Sequence, residues 1–212
     1  MLDYKLASRL LFATAAVSAL GFGLVSLAVA RGKTLRFDKQ AKRSVHRLRV
    51  DSAHPKTLRI AALGTTPLGK WWAYVPASLI SARRLQRHGR TAAAVTVASS
   101  AAAAGLMSLL LDQTVSKRAP PPERHEPGKQ SYPSGHALKS SAMALTTGYV
   151  LLREGLAPSW SVAPLGLASL AAGAGRLVLD RHWTSDVLGG YCAGVALGAT
   201  CAELYELCAH AH

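Results

Sequence analysis

Thr91 to Leu111 reads TAAAVTVASSAAAAGLMSLLL, a run with neither charge nor proline, and it supplies the roughly 20 apolar residues that cross a bilayer core about 30 Å thick. Working outward, similar runs lie on both sides. Towards the C-terminus they cover Ser134 or His136 to Arg153, Trp160 to Leu179, and Asp186 to about Leu207. Towards the N-terminus, Ile60 to Ala82 is weaker. Lys70 lies inside it and Pro67 and Pro76 interrupt it, which predicts a kinked helix with Trp71, Trp72 and Tyr74 as an interfacial belt. Leu6 to Ala30 completes the set. The pattern predicts an all-α fold, a polytopic membrane bundle of about six transmembrane helices.

Charge is distributed accordingly. Of 212 residues, 50% are hydrophobic and 17% charged, which excludes a disordered chain. Twenty-five Lys and Arg against 11 Asp and Glu give +14. That excess suggests nucleic acid until one sees that the cations collect between the apolar runs, as in Arg83, Arg84, Arg87 and Arg90. Basic loops suit anionic lipid headgroups, each cation near the surface adding about 1 kcal/mol, and no nucleic-acid partner is expected. Residues 31–59 hold ten of the cations, with Phe37, Ala41, Val45 and Leu48 recurring along one edge. This predicts an amphipathic helix on the membrane surface. Residues 1–58 are accordingly read as an anchor plus surface helix and 59–212 as the bundle carrying the site. Cys192, Cys201 and Cys208 share the last apolar run and are read as packing residues.

Chemistry-bearing residues gather where polar loops turn into apolar helices. In Tyr132-Pro133-Ser134-Gly135-His136, Ser134 is placed to cap a helix. The free amides of a first turn with a glycine make an anion site beside His136. An ordinary cap with a surface histidine gives the same pattern. The second cluster runs from Gly175 to Asp186 and contains Arg176 and His182. If one helical turn holds both His182 and Asp186, the carboxylate can orient and charge-stabilise the imidazole. A structural Arg–Asp pair is the alternative. A hairpin of two spans returns His136 and His182 to the same membrane face, which the basic stretch with Lys117, Arg118 and Arg124 also reaches. With no Asp/Glu cluster suited to Mg²⁺ in the sequence, metal-independent phosphoryl transfer with cationic charge neutralisation is expected.

These residues resemble the type 2 phosphatidic acid phosphatase superfamily. Pro133 to His136 match its Pro-Ser-Gly-His motif unchanged, and Arg176, His182 and Asp186 match its last motif in register, with Gly175 where Ser is usual. In its first motif, Lys117 and Arg124 have the family's separation, while His125 stands at the usual Pro. The resemblance implies hydrolysis of a lipid phosphate or diphosphate without a cofactor. By the same resemblance His182 attacks phosphorus, Asp186 orients it and His136 is the general acid. Lys117, Arg124, Arg118, Ser134, Gly135 and Arg176 are implied to hold the phosphoryl oxygens. A catalytically impaired relative that binds anionic lipid is the alternative. The expected location is the cytoplasmic membrane, with the site facing outward.

Overall fold

The computed structural model describes residues 3–115, 118–122 and 130–209. Lys117 and Arg124 lie outside the described residues. Eight helices follow one another among those described: α1 (Tyr4–Ala30), α2 (Leu35–Val50), α3 (Pro55–Gly64), α4 (Trp71–Arg87), α5 (Thr91–Thr114), α6 (Gly135–Arg153), α7 (Ala163–Val178) and α8 (Thr184–Ala209). Short 3₁₀ turns, Thr66–Gly69 and Ser159–Val162, precede α4 and α7. By length and composition α1, α5, α8 and the stretch Ser159–Val178 are long and apolar enough to cross a membrane.

The apolar runs become helices within a few residues of the sequence reading, except the second. There the expected single kinked helix is two helices, separated by a 3₁₀ turn. Pro67 opens that turn and Lys70 closes it in extended conformation (φ −94°, ψ 137°), so the chain re-enters helix only at Trp71.

α6 and α8 form the centre, flanked by α1, α5 and α7. Their close approach depends on small residues. A Cβ on Gly190 would fall on the Ser134 carbonyl oxygen, and one on Gly194 on the Leu138 carbonyl and the Ser141 hydroxyl. Backbone thereby meets backbone, which is how helices lacking a hydrophobic drive in lipid gain packing. At the far end, wholly buried Glu206 on α8 accepts from Arg153 Nε at 2.6 Å, Arg153 Nη2 at 3.0 Å and Tyr149 OH at 2.8 Å. A buried carboxylate needs such partners to offset desolvation, and these pin the C-terminal ends of α6 and α8 together.

α2 carries out only part of its expected role. Phe37 and Leu48 are exposed, as a surface helix requires, yet Asp38 is completely buried. The face of α2 that meets the protein is therefore organised around a carboxylate.

Candidate active site

The α7–α8 turn positions His182. Asp180 takes a left-handed φ of 52°, a conformation Asp tolerates better than most residues, and Arg49 of α2 donates to its carboxylate at 2.7 Å. His182 Nδ1 lies 2.7 Å from the carbonyl oxygen of Ser131. A carbonyl only accepts, so Nδ1 carries the proton and Nε2 presents a lone pair in the neutral ring. This corrects the expectation that Asp186 does the orienting from the same helical turn. α8 begins at Thr184, so His182 precedes it. The Asp186 carboxylate accepts from the Trp183 amide at 2.7 Å and lies 3.8 Å from His182 Nδ1, a charge contact rather than a hydrogen bond.

Arg118, expected among the phosphate-holding cations, is engaged elsewhere. Its Nη2 donates to Asp38 at 2.7 Å, while Nη1 donates to Ser185 Oγ at 2.6 Å and reaches Asp186 at 3.3 Å. Its guanidinium also lies 5.1 Å from the centre of the Trp183 ring. Two buried carboxylates thus share one cation next to His182.

The other half of the site converges on His136, in the first turn of α6. Arg176, almost wholly buried near the end of α7, places Nη1 3.5 Å from His136 Nε2 and donates through Nη2 to Thr66 Oγ1. A guanidinium only donates, so His136 Nε2 faces it as an acceptor. The 3₁₀ turn supplies both Thr66 and Gly69, whose Cα leaves no room for a Cβ against the His136 ring. Arg176, Lys139, His182 and Lys70 all lie within electrostatic reach of His136. Lys139, one turn further along α6, holds its ammonium 6.0 Å from the Tyr74 ring centre. The same ammonium lies near Gly135, 3.5 Å from where a Cβ on that glycine would sit.

Ser134 occupies the N-cap position as expected, in extended conformation, but its hydroxyl makes no capping bond. Instead its amide donates to the Asp186 carbonyl at 2.9 Å, tying the start of α6 to the start of α8. Among the described residues Ser134 Oγ and Arg176 Nε are buried without a hydrogen-bond partner. Unsatisfied buried polar atoms cost about 1–3 kcal/mol each.

Sequence reasoning missed Asp38, Thr66, Ser131 and Lys139. Asp38 left a trace, as the one acidic residue in α2. Lys139 left another, three residues beyond His136 on a helix. Ser131 acts through its backbone and carries no side-chain signal. Carboxylate, imidazole and guanidinium groups thus gather at the meeting of α6, α7 and α8.

Residues 95–208 match the family model of the PAP2 superfamily, and the chain belongs to that superfamily. Among curated proteins it is similar to a lipid A 1-phosphatase of Porphyromonas gingivalis, 43% identical over 68 residues, which is 32% of this chain and 15% of that protein's length. Its fold is similar to the crystal structure of a transmembrane PAP2-type phosphatidylglycerolphosphate phosphatase from Bacillus subtilis. That likeness has a TM-score of 0.72 at 20% identity and covers 89% of this chain and 94% of the other. The spans and this likeness make the chain a multi-pass membrane protein. Asp38, Thr66 and Lys70 lie outside the stretch that matches the family.

Proposed function

We propose that this protein hydrolyses a lipid phosphate or diphosphate, without a metal ion, through a phosphohistidine on His182. The observation that carries the reading is the bond from His182 Nδ1 to the Ser131 carbonyl, which leaves Nε2 as the nucleophile. In the first step Nε2 attacks phosphorus and the phosphorus–oxygen bond to the lipid breaks. His136, protonated against the bound anion, gives its proton to the departing alkoxide or phosphate. In the second step His136 takes a proton from water, the water oxygen bonds to phosphorus and the phosphorus–nitrogen bond breaks, releasing inorganic phosphate. Arg176, Ser134 Oγ, the Gly135 amide and Lys139 hold the phosphoryl oxygens, with Lys117 and Arg124 of the first motif as further cations. The two buried unpartnered atoms, Ser134 Oγ and Arg176 Nε, support that assignment.

Next to this site an apolar cavity of about 220 Å³ runs between α4, α6 and α7. Leu68, Tyr74, Ala77, Met143 and Leu165 are among its walls. Leu68 neighbours the turn on His136 and Tyr74 carries the Lys139 ammonium, so a lipid tail lying there keeps its phosphate at the histidines. A polyprenyl or glycerolipid tail fits this reading. The protein acts in the cytoplasmic membrane with its site facing outward, a placement tested by outside-only labelling of cysteines introduced at Gln86 and Gln130.

The decisive experiment is phosphate release by the purified protein from a panel of lipid phosphates and diphosphates in EDTA, beside His182→Ala. Release that survives EDTA and disappears in the variant supports the mechanism. No release from any substrate by folded protein moves the reading to an impaired relative that binds anionic lipid.

A further inference from the structure

The site draws on α6, α7, α8, the segments leading into them and the 3₁₀ turn before α4, and one wholly buried acid reaches it from α2. Asp38 receives the Ser185 amide at 2.8 Å and the Ser185 hydroxyl at 2.8 Å, and Arg118 Nη2 at 2.7 Å. A second tie joins the same two regions at the other end of α2, where Arg49 donates to Asp180 and to the Val178 carbonyl. α2 is thus strapped to the residues on both sides of His182.

The charges explain what the strap does. Arg118 lies 2.7 Å from Asp38 and 3.3 Å from Asp186, so Asp38 takes the larger part of its charge. Were Arg118 to face Asp186 alone, the two would form a neutral pair and Asp186 would offer little attraction to His182. With Asp38 present, two carboxylates share one guanidinium and the trio keeps one net negative charge beside the imidazole. Positive charge develops on that ring as Nε2 bonds to phosphorus, and a preorganised anion stabilises it. Among the described residues, Lys42 of α2, whose ammonium lies 5.5 Å from the centre of the Trp183 ring, and the Arg49–Asp180 pair are also charged and close to this cluster.

We infer that Asp38 is a positioning residue: it draws Arg118 away from Asp186 so that Asp186 remains available to the nucleophile His182, and the surface helix is thereby part of the active site. This rests on the phosphohistidine reading, and two readouts separate the two claims. The first is kcat and KM of the full chain in lipid nanodiscs for wild type, Asp38→Asn, Asp38→Glu and Asp38→Asn/Arg118→Gln. The second needs no turnover: the rate at which diethyl pyrocarbonate modifies His182 without substrate, followed by mass spectrometry, reports the nucleophilicity of Nε2.

Asp38→Asn is expected to lower kcat about tenfold, within the range for neighbours in one charge network, with KM within about twofold, and to slow His182 modification by a similar factor. Asp38→Glu restores most of both. Removing the cation as well, in Asp38→Asn/Arg118→Gln, brings both back to within about threefold of wild type. Modification of His182 in Asp38→Asn at or above the wild-type rate overturns the inference, because α2 is then only an anchor whose release exposes the ring. If wild type releases no phosphate from any lipid, the phosphatase reading fails, and the modification rates still decide the role of Asp38.

Discussion

The motif this chain resembles carries Ser at the position of Gly175, so Gly175→Ser is the obvious substitution toward that motif. The structure forecasts the opposite. A Cβ at Gly175 would collide with the Thr65 hydroxyl and come 3.1 Å from the Ala62 carbonyl oxygen. α3 and the turn after it occupy the space a side chain would fill, and the same turn brings Thr66 to Arg176. Forcing extra atoms into a packed contact costs about 1–3 kcal/mol. For a chain of this size each kcal/mol lowers Tm by roughly 2–4 °C, so Gly175→Ser should melt roughly 2–12 °C below wild type. Because the displaced turn carries Thr66 and Gly69, kcat should fall as well. Thr65→Ala removes the colliding hydroxyl and leaves its Cβ at 3.4 Å from the added atom, an ordinary contact. The double variant should therefore recover most of the lost stability. Thermal unfolding in one detergent, with phosphate release measured on the same samples, checks both. Gly175→Ser matching or exceeding wild type in Tm and rate would refute the reasoning.

Further expectations concern the remaining residues. His182→Ala should abolish turnover in folded protein, and retention of more than a few per cent of the rate would remove His182 from the nucleophile's role. Arg176→Lys keeps the charge but loses the planar fork that spans Thr66 and His136, and should lower kcat/KM by about 10²–10³, read by steady-state kinetics. Ala77→Trp fills the apolar cavity and should raise KM for long-tailed substrates while sparing short-chain ones; equal effects on both would separate the cavity from tail binding. Burial pushes the Tyr132 hydroxyl up to about 12. A raised acid favours the folded state below its unfolded pKa of about 10 and loses that contribution as pH climbs through 12. The Tm difference between wild type and Tyr132→Phe should therefore stay flat to about pH 10 and shrink above it.

Much of the fold was legible because a membrane span is written locally. Length, low charge and flanking cations placed α1, α5, α6, α7 and α8 within a few residues. Ile60 to Ala82 misled because Pro67 and Pro76 permit either a kink or a break, and the choice was made by packing against Arg176 and His136. That His136, His182 and Arg176 belong to one region was legible through motif spacing, and Arg176 does meet His136. Their partners were not, since Asp38 and Ser185 lie 147 residues apart in sequence and Ser131 serves through a carbonyl that any residue possesses. The contacts of Arg118 with Asp38, Ser185 and Asp186 were hidden for the same reason, because a cation in a basic loop gives no sign of which anion it will meet.

The Ser134 amide to Asp186 carbonyl bond and the Ser131 carbonyl to His182 bond share a property with consequences for how this protein varies. The first is wholly main-chain and the second takes its acceptor from the main chain, so substitution of Ser131, Ser134 or Asp186 leaves those atoms in place. Side chains around them are therefore at liberty to vary, while the two histidines keep their relative placement. Divergence in such a chain is expected to accumulate in what grips the phosphate before it reaches what aligns the nucleophile.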